Sequence, residues 1–221
     1  MMKNIVFLHG AFHGTWCWDQ LKDIAVSKGY SCHALDCHEF KPDSVVDYIK
    51  HNNLADIKIV AHSLGGILVP SIFSALQDFI TEVVFIAGIV LDKGESPIDY
   101  IPAERSDTYK ELYQDNPEST VQVSFEQACN LFFNDVKESD AEKYYSMLTP
   151  QLIKSYFYTE ANNLVGLSRI SKYVICKKDN TLPYDLCASF ANKLNLMPYL
   201  INAGHNCMLS RPDDLAQILF E

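Results

Sequence analysis

Six short runs of β-branched and aromatic residues, at 5–8, 30–35, 57–61, 83–87, 173–176 and 197–201, constrain the fold more than any other feature. Several are apolar almost throughout, as strands covered on both faces are. Helical patterns follow most of them, at 18–28, 44–51, 65–77 and 184–194. Strands alternating with helices predict a doubly wound α/β domain whose sheet is mainly parallel. The rhythm fails only from about 92 to 164, where Pro97, Pro102, Pro117 and Pro150 punctuate polar, aromatic-rich helical patterns without a convincing strand. Structureless loops of that length are rare inside a compact domain. The interval is therefore expected to be a helical cap inserted into a single domain spanning 1–221. Most of its aromatics, Tyr100, Tyr109, Phe132 and Tyr156 among them, should pack it onto the body, with some left to line a pocket.

Composition narrows the partners. Of the 221 residues 48% are apolar, enough for a core without disulfide or metal staples. The formal net charge of −10 repels phosphate backbones, and no Lys/Arg stripe offsets it, so no nucleic-acid partner is expected. No apolar stretch approaches the roughly 20 residues that span a bilayer, so no membrane insertion is expected. The N-terminal apolar run is too short for a secretory signal. Seven cysteines, an odd number without a CxxC pair, suit reduced thiols and a cytoplasmic location.

The run at 57–61 turns abruptly into a helical pattern at Ala61-His62-Ser63-Leu64-Gly65-Gly66. Small residues two before and two after a serine let strand and helix approach through a strained turn, lifting the hydroxyl above the carboxyl ends of the strands. Ser63 is thus the expected nucleophile; the plainer reading makes it a helix N-cap. A serine needs a general base and a group to orient that base. His205 lies in Ala203-Gly204-His205-Asn206, directly after the last predicted strand, where the base should be. The acid should follow an earlier strand. Asp179, just past 173–176, meets that requirement ahead of two rivals, Asp92 after the fourth run and Asp185 in a helical pattern. A developing oxyanion also needs donors. His9-Gly10-Ala11-Phe12-His13-Gly14 supplies a glycine-bearing turn after the first strand, and it lacks the pattern of a phosphate loop. The backbone N–H groups of Ala11 and Leu64 are the expected pair.

Three segments together resemble a known family. They are His9-Gly10-Ala11-Phe12-His13-Gly14-Thr15-Trp16-Cys17-Trp18, the elbow at 61–66, and Gly204-His205-Asn206-Cys207-Met208-Leu209-Ser210-Arg211-Pro212. They look like the α/β-hydrolase branch that contains plant methyl esterases and hydroxynitrile lyases. Bacterial esterases of that branch are similar too, also at Leu131-Phe132-Phe133-Asn134-Asp135. The resemblance implies an α/β-hydrolase fold with a six-stranded sheet and a Ser63–His205–Asp179 triad. It also implies Ala11 and Leu64 as oxyanion donors, and hydrolysis of small, largely apolar carboxylic esters through an acyl-enzyme. Lyases of the branch carry Thr where this chain has Gly10, and Lys where it has Asn206, which favours the esterase. A lyase-like, C–C-cleaving or lactone-cleaving enzyme on the same triad is the alternative, as is a non-catalytic small-ligand receptor on the same scaffold. Substrate contacts are expected from Gly10, Phe12, Trp16 and His62 with the cap, and no cofactor is expected. The ligand-rich stretch Cys32-His33-Ala34-Leu35-Asp36-Cys37-His38 has no second cluster to complete a zinc site. The natural acyl and alcohol groups and the choice between monomer and homodimer stay open.

Overall fold

The computed structural model describes residues 3–160, 162 and 164–220. Its main sheet contains β1 (Lys3–Leu8), β2 (Tyr30–Leu35), β3 (Ile57–His62), β4 (Ile80–Ile86), β7 (Ser171–Cys176) and β8 (Tyr199–Ile201). They lie in the order β2-β1-β3-β4-β7-β8, and every neighbouring pair is parallel. The central strands explain their unbroken apolar runs: Ile5 to Leu8, Ile59 to Ala61 and Val83 to Ile86 are completely buried. Edge strand β2 is half-buried along its whole length.

Helices cover both faces. Among them are α1 (Asp19–Ser27), α2 (Pro42–His51), α3 (Val69–Leu76), α7 (Tyr184–Lys193), α8 (Cys207–Ser210) and α9 (Pro212–Phe220). In α2 the buried residues are Val45, Val46 and Ile49, a stripe at helical spacing that turns onto the body. Pro42 and Pro212 sit at the first helical positions, where a missing N–H costs nothing. No helix among the described residues is long and apolar enough to cross a membrane.

Between β4 and β7 lie α4 (Ala103–Asp115), α5 (Phe125–Leu131) and α6 (Glu138–Tyr145). Ser124 and Gln127 form a reciprocal capping box that starts α5. This region differs from the all-helical expectation by an antiparallel pair, β5 (Thr120–Val121) with β6 (Gln151–Leu152). Two-residue strands are too short to leave a period in the sequence. The helix expected over 65–77 also begins differently, with a 3-10 segment over Ser63–Leu68 that passes into α3. The tighter winding accompanies close approach to β1: a Cβ on Gly65 would lie 2.6 Å from the His9 carbonyl oxygen and 2.9 Å from that of Leu8.

Candidate active site

Ser63 leaves β3 at a φ of +51°, the left-handed region that L-residues other than Gly, Asn and Asp seldom occupy. The turn is held by the Ser63 carbonyl, which accepts the Ile89 N–H at 2.9 Å. Leu64 follows in the first turn of the 3-10 segment, where N–H groups have no acceptor within the helix.

His205 comes from the loop after β8, and Asp179 from the loop after β7. Their neighbours are already joined in backbone pairing, Lys177 N–H to the Ile201 carbonyl and Lys178 N–H to the Ala203 carbonyl, both at 2.9 Å. His205 Nδ1–H donates to Asp179 Oδ2 at 2.7 Å, with both side chains essentially inaccessible. The other carboxylate oxygen, Oδ1, accepts the N–H groups of Thr181 and Leu182 at 2.7 and 2.9 Å. Those two bonds fix the carboxylate plane, and the carboxylate in turn selects the His205 tautomer with Nε2 unprotonated. The rival acids lie elsewhere. Asp92 is 57% exposed and pairs with Lys193 at 3.3 Å, and Asp185 sits in the first turn of α7.

Ser63 and His205 line one cavity, with Ala11, Phe12, Leu64, Phe132, Leu182 and residues of the β4–β7 insertion completing its wall. No direct hydrogen bond joins Ser63 to the ring; such contacts often tighten only with substrate bound. The internal volume is about 60 Å³. A larger open depression of about 650 Å³ lies between β8 and α9, but it contains no nucleophile or histidine.

Three further histidines surround the site, each with its tautomer set by a backbone carbonyl. His9 Nδ1–H donates to the Gly10 carbonyl at 2.8 Å, while Nε2 accepts the Cys37 N–H at 2.9 Å. His13 Nδ1–H donates to the Ala11 carbonyl at 2.7 Å, and Nε2 accepts from Asn206 Nδ2 at 2.9 Å. His62 Nε2–H donates to the carbonyl of His205 itself at 3.0 Å. Burial disfavours the charged form of all three: it lowers His9, drives His13 down to about 3, and holds His62 well below the ordinary imidazole value. They are neutral clamps on the turn after β1 and on the His205 loop.

Of the residues expected to contact substrate, only Phe12 lies on the cavity wall. Trp16 turns away, stacking on Tyr144 with ring centres 5.6 Å apart. His62 is fully buried beneath the His205 backbone, and Gly10 backs directly onto Ser63, where a Cβ would come within 2.7 Å of Ser63 Cβ. Sequence position alone does not say which way a loop side chain faces. The ligand-rich stretch at 32–38 brings Asp36 and His38 within 4.8 Å of His9. These groups are taken up within the protein: His9 Nε2 and Asp36 Oδ1 accept the N–H groups of Cys37 and His38, and His38 Nδ1 lies 3.3 Å from Thr149 Oγ1.

A set of residues outside the expected site pins the Asp179 and His205 loops. The last carbonyls of α5 and the residue after it lack helical partners, as helix ends do. Here Asn130, Leu131 and Phe132 offer theirs to Asn180 Nδ2 at 3.0 Å, Thr181 Oγ1 at 2.8 Å and Asn206 Nδ2 at 3.0 Å. Just beyond, Asn134 Nδ2 donates to the Lys178 carbonyl at 2.7 Å, and Asp135 Oδ2 accepts the Gly204 N–H and the Ser210 hydroxyl, both at 2.8 Å. The 131–135 motif was visible in the sequence only as part of the family resemblance, with no sign of its role.

The sequence profile described as "Alpha/beta hydrolase family" matches residues 5–218. Methyl jasmonate esterase 1 of Vitis vinifera is 24% identical over 265 residues, covering 99% of this chain and 96% of its own. Norfluorocurarine synthase 1 of Strychnos nux-vomica is 23% identical over 251 residues, with coverage of 99% and 94%. Among solved structures, an extracellular alpha/beta-hydrolase from a Paenibacillus species, described as sharing structural and functional homology with tobacco salicylic acid binding protein 2, superposes with a TM-score of 0.85. It is 21% identical and the match covers 98% of this chain and 97% of that one. A methylesterase from Arabidopsis gives a TM-score of 0.80 at 18% identity, with 98% and 97% covered.

Proposed function

The chain belongs to the alpha/beta hydrolase family, and from that premise we propose that it is a serine esterase cleaving small carboxylic esters through an acyl-enzyme. Ser63 Oγ attacks the ester carbonyl carbon while His205 Nε2 takes the hydroxyl proton. The N–H groups of Ala11 and Leu64 receive the developing oxyanion. Collapse of the tetrahedral intermediate expels the alcohol, which takes its proton from His205. Water, deprotonated by the same nitrogen, then releases the acid and restores Ser63. Asp179 keeps the ring in the tautomer that leaves Nε2 free to accept and stabilises the imidazolium that forms. The segment between β4 and β7 acts as a cap over this site.

One observation carries the reading: the 2.7 Å bond from His205 to a carboxylate already oriented by two N–H groups, on a ring that shares its cavity with Ser63. The relatives named as esterases support it. Asn206 favours hydrolysis over lyase chemistry, because its amide is spent on His13 and Phe132 and supplies no cation for a leaving cyanide. Gly10 points the same way, since any larger side chain there would meet Ser63.

The test combines a fluorophosphonate probe with p-nitrophenyl acetate, butyrate and octanoate. Labelling and turnover, both abolished in Ser63→Ala, are the expected results, with turnover falling from acetate to octanoate. Tight binding of small ligands without labelling would replace the enzyme by a receptor. Mandelonitrile cleavage without ester hydrolysis would replace it by a lyase.

A further inference from the structure

The proposed ester pocket has one permanently charged residue on its wall, and it is a cation. Arg105, from the first turn of α4, lines the cavity with Tyr100, Tyr109, Tyr156 and Thr181; no carboxylate does. Among the described residues Arg105 forms no ion pair, and its guanidinium makes no hydrogen bond. It is half-buried, and its charge acts on a pair of phenols in the same wall. Tyr109 and Tyr156 are 9% and 5% exposed, with ring centres 4.9 Å apart.

An arginine in such a place is unusual on physical grounds. Guanidinium groups taken partly out of water are normally paired, because an unmatched charge is costly to desolvate. Partners are plentiful in this chain, with 28 acidic residues against 18 basic ones, yet none is turned toward Arg105. Its planar fork of donors matches a carboxylate in two-point fashion, which a lysine in the same place would not do. Tyr109 and Tyr156 are hydrogen-bonded to each other, which leaves one phenolic proton as a further donor on the same wall.

We infer that Arg105 selects esters bearing a second, free carboxylate, so that the substrate is a half-ester or a carboxylate-tailed ester rather than a wholly apolar one. The inference rests on the esterase reading and deepens it. Ser63, His205 and the N–H pair handle the scissile carbonyl, and Arg105 anchors the far end of the molecule.

Two matched pairs test it, one with the carboxylate on the acyl side and one with it on the alcohol side. They are monomethyl succinate with its neutral isostere methyl 4-methylpentanoate, and acetoxyacetate with isobutyl acetate. In wild type the anionic member of at least one pair is expected to have the larger kcat/KM by about 10- to 100-fold, the worth of a hydrogen-bonded charge pair. Arg105→Gln brings that ratio to one or below, through KM, and Arg105→Lys restores part of it. Independently of turnover, succinate raises the melting temperature of wild type and not of Arg105→Gln, while succinamide raises neither. Ratios near one in both wild-type pairs, or a ratio unchanged in Arg105→Gln, overturn the inference even as neutral esters are hydrolysed. Absence of fluorophosphonate labelling and of all ester turnover instead overturns the esterase reading, and the succinate melting shift then decides for or against the anion site alone.

Discussion

Gly204→Ala is the sharpest single perturbation of the contacts between α5 and the Asp179 and His205 loops. A Cβ at this position would overlap Asn134 Oδ1 and lie 2.7 Å from Asp135 Oδ1, well inside van der Waals contact. A free carboxamide and carboxylate would swing aside at little cost, but these two are held. Asn134 is tied to the Lys178 carbonyl, and Asp135 to the Gly204 N–H and the Ser210 hydroxyl. Moving them breaks up to three hydrogen bonds, one or two of them to a charged acceptor, for a loss of about 2–5 kcal/mol. In a chain of this length that is a fall in melting temperature of about 5–15 °C. The same displacement acts on the residue before His205 and the residue before Asp179. A shift of about 1 Å in the imidazole should therefore lower kcat about 100-fold with a smaller effect on KM. Thermal unfolding followed by fluorescence gives the first quantity, and initial rates with p-nitrophenyl acetate give the second. A Gly204→Ala protein with wild-type melting temperature and wild-type kcat would show that α5 and its following residues do not hold the dyad in place.

Other expectations follow from the same geometry. Asp179→Asn removes the acceptor that sets the His205 tautomer and should lower kcat by about 10³- to 10⁴-fold; slowed fluorophosphonate labelling with an unchanged circular dichroism spectrum would confirm it. Gly10→Thr places a side chain against Ser63 and should abolish labelling, whereas survival of labelling would mean that the turn after β1 can yield. The folded-state proton affinity of His13 is depressed to about 3, from an ordinary value near 6.5. Its contribution to stability is therefore whole above pH 6.5 and is lost as pH falls toward 3, by about 1.4 kcal/mol per pH unit. Urea midpoints between pH 8 and 4 measure this, and a slope unaltered in His13→Asn would refute it. Burial raises the Cys37 and Cys187 thiols to about 12 and holds Cys17 well above its ordinary value, while Cys176 is raised first by its side-chain hydrogen bond with Cys207 and then by burial. Mass spectrometry after iodoacetamide at pH 7.5 should thus find native-state alkylation only at the half-buried Cys32 and Cys129.

The central strands β1, β3, β4 and β7 were legible because strands buried on both faces read as apolar runs, and no helix of four to six residues reads that way. The elbow was legible for a related reason: only small residues at 61 and 65 let β3 and the following segment come so close to β1. Asp179 and His205 could be placed at one sheet edge from their positions just after predicted strands, and the structure joins them by a direct hydrogen bond. What the sequence hid is contact between distant segments. Nothing in the pattern around Asn134 and Asp135 says that their side chains reach loops 44 to 75 residues further on. The facing of Trp16 and His62 was hidden likewise, because a loop has no period from which to read inside and outside. No sequence feature marked Arg105, because which cation of the insertion faces the cavity depends on how α4 packs.

The stitching of α5 has a directional consequence. Six bonds bolt the α5 end of the insertion to the body. By contrast, α4 meets the body through no side-chain hydrogen bond among the described residues. The fasteners sit on the side that carries the Asp179 and His205 loops, so a change in packing around α4 is expected to reach the cavity wall at Arg105 while leaving the bond between ring and carboxylate intact.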